Sequence, residues 1–326
     1  MSLSQSELNN IYHWQYKVTD NSITTKFYKN FWYQIESYIP PYISPNFISF
    51  TGFFLILSNF IITYFLHNDY PILTELYVVI ATQIYCHLDS IDGIHARNTK
   101  TSSPLGELVD HICDTVGLIF MILSFAYIFD ITNINTLIMT TLSGMLGFQY
   151  FHIQAYFYKG VEFGKYTGPI EILTVYCMFI LAKTCNLINN THFELVNIVS
   201  PYVMSMFLIG NICYMITNIR KYNDIVNNLI FITIYFITIT SLYNMKNDYD
   251  MYYLFNICLN MCVLTCDFII SKMADKCIDK LIVLIFIFSQ LNNMFGICLS
   301  LFYICSSLKQ IADFMHLNII YHNIKI

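Results

Sequence analysis

Four aspartates are spaced so that they could hold a metal ion against a phosphate. They lie in Asp89-Ser-Ile-Asp92-Gly93-Ile-His-Ala96-Arg97, followed after eight residues by Gly106, after three more by Asp110 and after three more by Asp114. Asp89 and Asp92 are three apart and share a helix face. Gly106, Asp110 and Asp114 step by four, one stripe along a second helix. Laid together, the two helices present four carboxylates to one spot. Like charges that close need a counter-charge. A divalent cation with oxygen ligands supplies one, and Mg²⁺ or Mn²⁺ suits carboxylates that share the ion with a phosphate-bearing substrate. Gly93 and Ala96 leave the backbone open to a bulky ligand. Arg97 offers a planar fork that matches phosphate oxygens, and Gly106 permits close approach to the second helix.

The elements that carry these residues belong to a membrane. Hydrophobic residues make up 56% of the 326 and charged residues 11%, and the mean hydropathy is +0.54. A soluble domain carries about 25% charged residues, so too little polar surface exists here to coat a soluble particle. Ionisable side chains inside a bilayer are costly and mark a site. The net charge of −5 is small, and no basic run interleaves with aromatics, so no nucleic-acid partner is expected. The eleven cysteines are scattered, most of them within apolar runs, where Cys acts as a small hydrophobe. Cys258, Cys262 and Cys266 step by four, but no fourth ligand completes a metal set, which favours packing. Residues 1–23 are polar, with no apolar core and no cleavage-like site, so no signal peptide is read there. Met1-Ser2 does not fit the myristoylation pattern.

A spanning helix needs about 20 mostly apolar residues. Ten such segments are expected, near 47–66, 71–90, 104–128, 133–157, 169–188, 196–218, 225–243, 251–270, 279–292 and 294–314. The fold class is therefore all-α, a polytopic helix bundle. The last two segments could instead form one long helix kinked at the polar positions Ser289, Gln290, Asn292 and Asn293. Absence of a linker, a repeat or a low-complexity stretch argues for one domain over residues 1–326. Ahead of the first span, Phe27, Phe31, Ile35 and Tyr38 recur at helical spacing opposite Lys26, Lys29, Gln34 and Glu36. That pattern predicts an amphipathic helix in the membrane interface, with Tyr28 and Trp32 at headgroup depth; a cap packed on the bundle is the alternative. Pro40, Pro41 and Pro45 then turn the chain into the membrane.

Charge sets the topology. With the N-terminus in the cytosol, Lys17, Lys26, Lys29, Arg97, Lys100, Lys159, Lys165, Arg220, Lys221, Lys272, Lys276, Lys280, Lys309 and Lys325 fall on or near the cytosolic side. Only Lys183 and Lys246 fall opposite, as the positive-inside rule predicts. The carboxylates, at the end of the second span and the start of the third, then face the cytosol. The sequon Asn189-Asn190-Thr191 lies on the other side, close to the membrane, and is expected to stay unmodified. Ser102 and Ser103 before Pro104 read as a cap followed by a first-turn proline, so the polar loop 98–103 is a hinge between two ligand-bearing helices.

The aspartate segment resembles the signature of the CDP-alcohol phosphotransferase family, D-x2-D-G-x2-A-R-x8-G-x3-D-x3-D, at every fixed position. Pro104-Leu-Gly-Glu-Leu-Val-Asp-His-Ile-Cys-Asp114 resembles the P-L-G-E-L-x-D-H-x-x-D of the choline and ethanolamine phosphotransferase branch. Further likenesses are Trp14-Gln-Tyr16 and Asp20-Asn-Ser22, Pro45-Asn46-Phe-Ile-Ser-Phe-Thr-Gly52, Phe151-His152-Ile-Gln154-Ala-Tyr156, Gly168-Pro169-Ile-Glu171 and Gln310-Ile311-Ala312. The chain departs from the common wording at Ile94-His95, Asn98 and Ile153.

The resemblance implies that Asp89, Asp92 and Asp110 ligate metal and that Asp114 is a ligand or a base. It also implies that Gly93, Ala96 and Arg97 occupy nucleotide- and phosphate-binding positions, and that two Mg²⁺ or Mn²⁺ ions are used. His111 beside them is either a general base that takes a proton from an attacking hydroxyl or a histidine hydrogen-bonded to Asp114. His87 and His95, flanking the motif, are expected to contact lipid headgroups or solvent. The implied reaction moves phosphocholine or phosphoethanolamine from CDP-choline or CDP-ethanolamine to diacylglycerol, in an endomembrane of endoplasmic-reticulum or Golgi type. Membrane lipids would surround the chain, and a homodimer is compatible with it. One alternative within the superfamily is a CDP-diacylglycerol user, but those relatives are typically shorter, with about six spans. A second alternative is a divalent-cation transporter, which would spread its carboxylates along a path rather than gather them beside Arg97. The third, an inactive scaffold, should have lost a motif residue, and none is lost.

Overall fold

The computed structural model describes residues 3–15, 17–131, 133–166, 168–187, 194–219, 222–244 and 251–319. Among them the elements run α1 (Gln5–Tyr12), β1 (Val18–Asp20), α2 (Ile23–Glu36), α3 (Pro45–Leu66), α4 (Pro71–Asn98), α5 (Pro104–Ile128), α6 (Ile134–Tyr158), β2 (Val161–Phe163), α7 (Pro169–Thr184), α8 (Glu194–Thr217), α9 (Tyr222–Asn244), α10 (Met251–Ala274), α11 (Leu281–Leu291) and α12 (Asn293–Met315). The helical membrane bundle expected from composition is what forms. Six helical stretches are long and apolar enough to cross a membrane: Pro45–Leu66, Pro71–Asn98, Pro104–Ile128, Val199–Thr217, Tyr252–Ala274 and Asn293–Met315. The chain is an integral membrane protein. Helices α6, α7, α9 and α11 occupy the other expected segments, and the sequon lies outside the described residues.

The chain packs as two compact units: Tyr16–Thr132 with Val161–Leu195 and His316–Ile326, and Met1–Gln15 with Asn133–Gly160 and Val196–Met315. All four carboxylates of the motif fall in the first. There, α3, α4, α5 and α7 each begin with a proline, at Pro45, Pro71, Pro104 and Pro169. Proline suits a first turn because its missing N–H would have no intrahelical partner. Two short strands hold the start of α2: Val18, Thr19 and Asp20 pair in parallel with Val161, Glu162 and Phe163. These strands and α1 were not expected from the sequence. Ser22 caps α2, accepting from Thr25 N–H at 3.3 Å, while Glu171 Oε1 accepts from the Thr24 amide at 3.1 Å and its hydroxyl at 2.7 Å. Two of the scattered family-like segments thus meet at one helix start.

The core of this unit explains how the motif helix is held. Trp32 of α2, Ile91 and Ile94 of α4, and Ile170 of α7 form one buried cluster, with Tyr28 and Ile39 against it. Trp32 is buried against the protein: its ring packs between α2 and α4 and its Nε1 donates to His87 Nδ1 at 3.1 Å. Phe27, Phe31 and Ile35 of α2, with Tyr38 just past its end, are exposed. The helix thus packs on α4 through Trp32 and leaves Phe27, Phe31 and Ile35 exposed. A second cluster sets Ile56, Tyr85 and Met121 together between α3, α4 and α5. Farther along, Lys183 donates to the buried Glu75 at 3.0 Å and to the carbonyl of Ile128, and His67 lies 3.1 Å from the same carboxylate.

In the other unit α10 is almost entirely buried, with Cys258, Cys262 and Cys266 packed inside. The apolar run 281–308 breaks where Asn292 adopts an extended backbone. Asn256 of α10 reaches across and donates to the Ser289 carbonyl at 2.8 Å, and Asn260 donates to the Ser289 hydroxyl at 2.8 Å. In hydrocarbon a broken helix needs such partners for its freed backbone groups.

Candidate functional site

The motif straddles one helix end and one helix start. Helix α4 continues past residue 90, its expected limit, and carries Asp89, Asp92, Gly93, Ala96 and Arg97 in unbroken helix to Asn98. It stops in a left-handed turn at Lys100, φ 59°. Thr101 N–H bonds back to the Ala96 carbonyl at 2.9 Å and Lys100 N–H to that of Arg97 at 3.2 Å, the double closure of a Schellman turn. Three residues later Ser103 caps α5, its hydroxyl accepting from Gly106 N–H at 3.0 Å. The expected cap and first-turn proline are both present. So brief a connection leaves the two motif helices little freedom to separate.

The carboxylates converge. Asp110, His111 and Asp114 offer ligand atoms that all lie within 4.8 Å of one another. His111 Nδ1 is 3.9 Å from Asp110 Oδ2 and 3.8 Å from Asp114 Oδ2. Asp89 comes within hydrogen-bonding reach of Asp114 and feels the charge of Asp92, and Asp110 feels the charges of all three others. Asp92 is buried, while Asp89, Asp110 and Asp114 keep partial exposure. An open cluster of carboxylate oxygens is a donor set for a hard divalent cation that shares its remaining positions with substrate oxygens. Arg97 folds back along α4, its Nη1 3.3 Å from where a Cβ on Gly93 would sit. Glycine at 93 therefore makes room for the guanidinium.

Helix α3, which the motif does not include, presents one residue per turn to this cluster. Ser49 donates to Asp92 Oδ2 at 2.5 Å. Asn46 Oδ1 would lie 3.4 Å from a Cβ on Gly106. Gly52 lies beneath the ring of Tyr85, whose Cδ2 would be 3.0 Å from an added Cβ, and Tyr85 donates to Asp114 Oδ1 at 2.6 Å. Asp92 and Asp114 each have one oxygen engaged by a hydroxyl. Such donors fix a carboxylate's rotamer and free its other oxygen for a metal. Ser49 and Tyr85 were not picked out by spacing. The available signal was the polar-and-small pattern Asn46, Ser49, Gly52 on an otherwise apolar helix.

His95 does not face lipid or solvent as expected, and His87 is half-buried. The imidazole of His87 takes the Trp32 N–H and packs edge-on against Tyr28 and Phe31. His95 is 1% exposed, with Nδ1 2.9 Å from Glu36 Oε1 and Nε2 3.0 Å from the Ile43 carbonyl. Asn98 donates to Glu36 Oε2 at 2.6 Å. Two departures from the family wording, His95 and Asn98, thus share one carboxylate.

Comparison with known proteins agrees with this geometry. The model of the CDP-alcohol phosphatidyltransferase family matches residues 42–239. Cholinephosphotransferase 1 of Gallus gallus is 31% identical over 191 residues, 56% of this chain and 56% of the relative. Choline/ethanolaminephosphotransferase 1 of Saccharomyces cerevisiae is 26% identical over 181 residues, 54% of this chain and 46% of the relative. An uncharacterized CDP-alcohol phosphatidyltransferase class-I family protein of Dictyostelium discoideum is 31% identical over 177 residues, 52% and 42% of the two chains. The chain spans about half the length of these curated relatives. With the family model covering more than half of its residues and the aspartate motif intact on converging helices, the chain belongs to the CDP-alcohol phosphatidyltransferase family.

Proposed function

We propose that the chain transfers phosphocholine or phosphoethanolamine from the CDP-alcohol to the free hydroxyl of diacylglycerol, releasing CMP. The observation that carries this reading is the gathering of Asp89, Asp92, Asp110 and Asp114 beside Arg97, with Ser49 and Tyr85 orienting two of the carboxylates. Asp89, Asp92, Asp110 and Asp114 would hold two Mg²⁺ or Mn²⁺ ions. Bound there, such ions neutralise pyrophosphate oxygens and stabilise both the attacking and the leaving oxygen.

The chain's own residues supply the rest. The Arg97 fork and the open backbone at Gly93, Ala96 and Gly106 receive the nucleotide and its phosphates. The acceptor hydroxyl attacks the phosphorus that bears the head group, and the bond from that phosphorus to the bridging oxygen breaks as CMP leaves. The hydroxyl proton passes to His111, which stands beside Asp110 and Asp114. A second reading of His111 has its own support: its ring lies close enough to both carboxylates to join them as a metal ligand. Asp114 would then serve as base. The cluster opens to the cytosol of an endomembrane, where water-soluble CDP-alcohols are met.

Purified protein in diacylglycerol micelles with Mg²⁺ or Mn²⁺, given radiolabelled CDP-choline and CDP-ethanolamine separately, tests the reading. Labelled phospholipid should form, and none from Asp92→Asn or Asp110→Asn protein that still folds in micelles. Product from CDP-diacylglycerol and a free alcohol, with none from either CDP-alcohol, would replace this reading by the CDP-diacylglycerol alternative.

A further inference from the structure

The buried carboxylate of Glu36 takes no part in the motif, yet it grips the motif helix. It lies at the last turn of α2 and meets two side chains of α4: His95 Nδ1 at 2.9 Å and the Asn98 amide at 2.6 Å. The other nitrogen of His95, Nε2, lies 3.0 Å from the Ile43 carbonyl, just ahead of α3. A carbonyl can only accept, so Nε2 donates to it while Nδ1 meets the carboxyl group of Glu36. One carboxylate and one imidazole thereby tie together the end of α2, the approach to α3 and the end of α4.

Position along α4 gives this tie its consequence. His95 and Asn98 are three apart and share one face; Gly93 and Arg97 are four apart and share another. Arg97 lies directly against Gly93, so any rotation or fraying of the last turn moves its guanidinium. Left alone, the last turn of a helix is where fraying occurs. The same tie draws the approach to α3 against α4, next to the Ser49–Asp92 hydrogen bond. The packing of Trp32 on Ile91 and Ile94 lies one to two turns earlier and leaves the terminal turn to the polar contacts.

We infer that Glu36, His95 and Asn98 are positioning residues: a clamp, buried at Glu36 and His95, that fixes the last turn of α4 so that Arg97 meets the phosphates of the nucleotide substrate. The inference rests on the reading of Arg97 given above, and none of the three residues touches substrate. Loss of the clamp should weaken CDP-alcohol capture more than it slows the chemistry.

Asn98 is exposed, so its replacement leaves the core intact. Asn98→Asp sets a carboxylate against Glu36. It should raise KM for CDP-choline, or for CDP-ethanolamine if that is the substrate used, about tenfold, or ~1.4 kcal/mol, with kcat and Mn²⁺ affinity nearly unchanged. The exchange Asn98→Asp with Glu36→Gln returns one amide and one carboxylate to the pair, in swapped places, and should restore most of the lost affinity. His95→Ala combined with Asn98→Ala should cost less than the sum of the two single changes, as residues of one network do. Hydrogen exchange over residues 93–101 reads the clamp without substrate: it should quicken in Asn98→Asp and slow again in the swapped pair. An unchanged KM together with unchanged exchange in Asn98→Asp overturns the clamp, and so does a loss that the swapped pair fails to recover. Exchange behaving as stated in a protein that uses no CDP-alcohol refutes the proposed function and leaves the clamp standing.

Discussion

At the scale of single residues, the site is a set of carboxylates whose directions are imposed by neighbours. Ser49 and Tyr85 each donate to one oxygen of a motif aspartate. Removing an outer partner of a metal ligand typically costs 10–100-fold in metal affinity or activity. Ser49→Ala and Tyr85→Phe should each raise the Mn²⁺ concentration for half-saturation by roughly that order. Paramagnetic resonance of bound Mn²⁺ reads this without turnover, and Ser49→Thr, which keeps the hydroxyl, should retain affinity. Unchanged Mn²⁺ binding in both variants would mean that the hydroxyls only fill space. His111→Ala should lower turnover by ~10²–10⁴-fold if the imidazole takes the proton. Raised pH should then recover part of the loss, since hydroxide can compete for the proton, and metal dependence should stay put. A large increase in the Mg²⁺ requirement would instead make His111 a ligand.

At the scale of elements, α3 and α4 approach closely because Gly52 has no side chain. The Tyr85 ring crowds the place a Cβ would take, its nearest atom 3.0 Å away. Gly52→Ala must push that ring, and with it the hydroxyl that holds Asp114. The variant should insert normally yet match Tyr85→Phe in its loss of metal affinity. Adding Tyr85→Phe on top should change little, because both act on one contact. Full additivity of the two in Mn²⁺ titrations would sever the link between helix spacing and ligand orientation. Glycine at 52 thus serves the site at one remove from the carboxylate.

At the scale of the molecule, we propose from the distribution of basic residues that the motif hinge, with Arg97 and Lys100, faces the cytosol. A cysteine placed at Thr99, in a background lacking other accessible cysteines, should react with an impermeant thiol reagent added from the cytosolic face alone. Labelling from the opposite face would invert the topology and remove the site from its water-soluble substrate. Thr99 suits the experiment because it closes α4 just past the motif aspartates.

The sequence by itself determined the membrane class, the placement of the long helices and the aspartate motif, for reasons that are local. Apolar length decides whether a segment can cross a bilayer, and steps of three and four decide which side chains share a helix face. The serine and proline at 103 and 104 marked the start of α5, as a cap and a first-turn residue. What the tertiary structure decided is everything that depends on partners distant in the chain. Trp32 and His95 look like surface residues in their own segments. One is buried because α4 offers a gap of its size, the other because Glu36, 59 positions away, supplies a carboxylate. Ser49 reads as a minor polar break in an apolar helix until Asp92, 43 positions on, is placed beside it. The break at Asn292 was visible as polar residues, but α10 brings Asn256 to the Ser289 carbonyl and Asn260 to its hydroxyl. Periodicity reports the face a residue occupies; what stands opposite that face is set by how the helices pack.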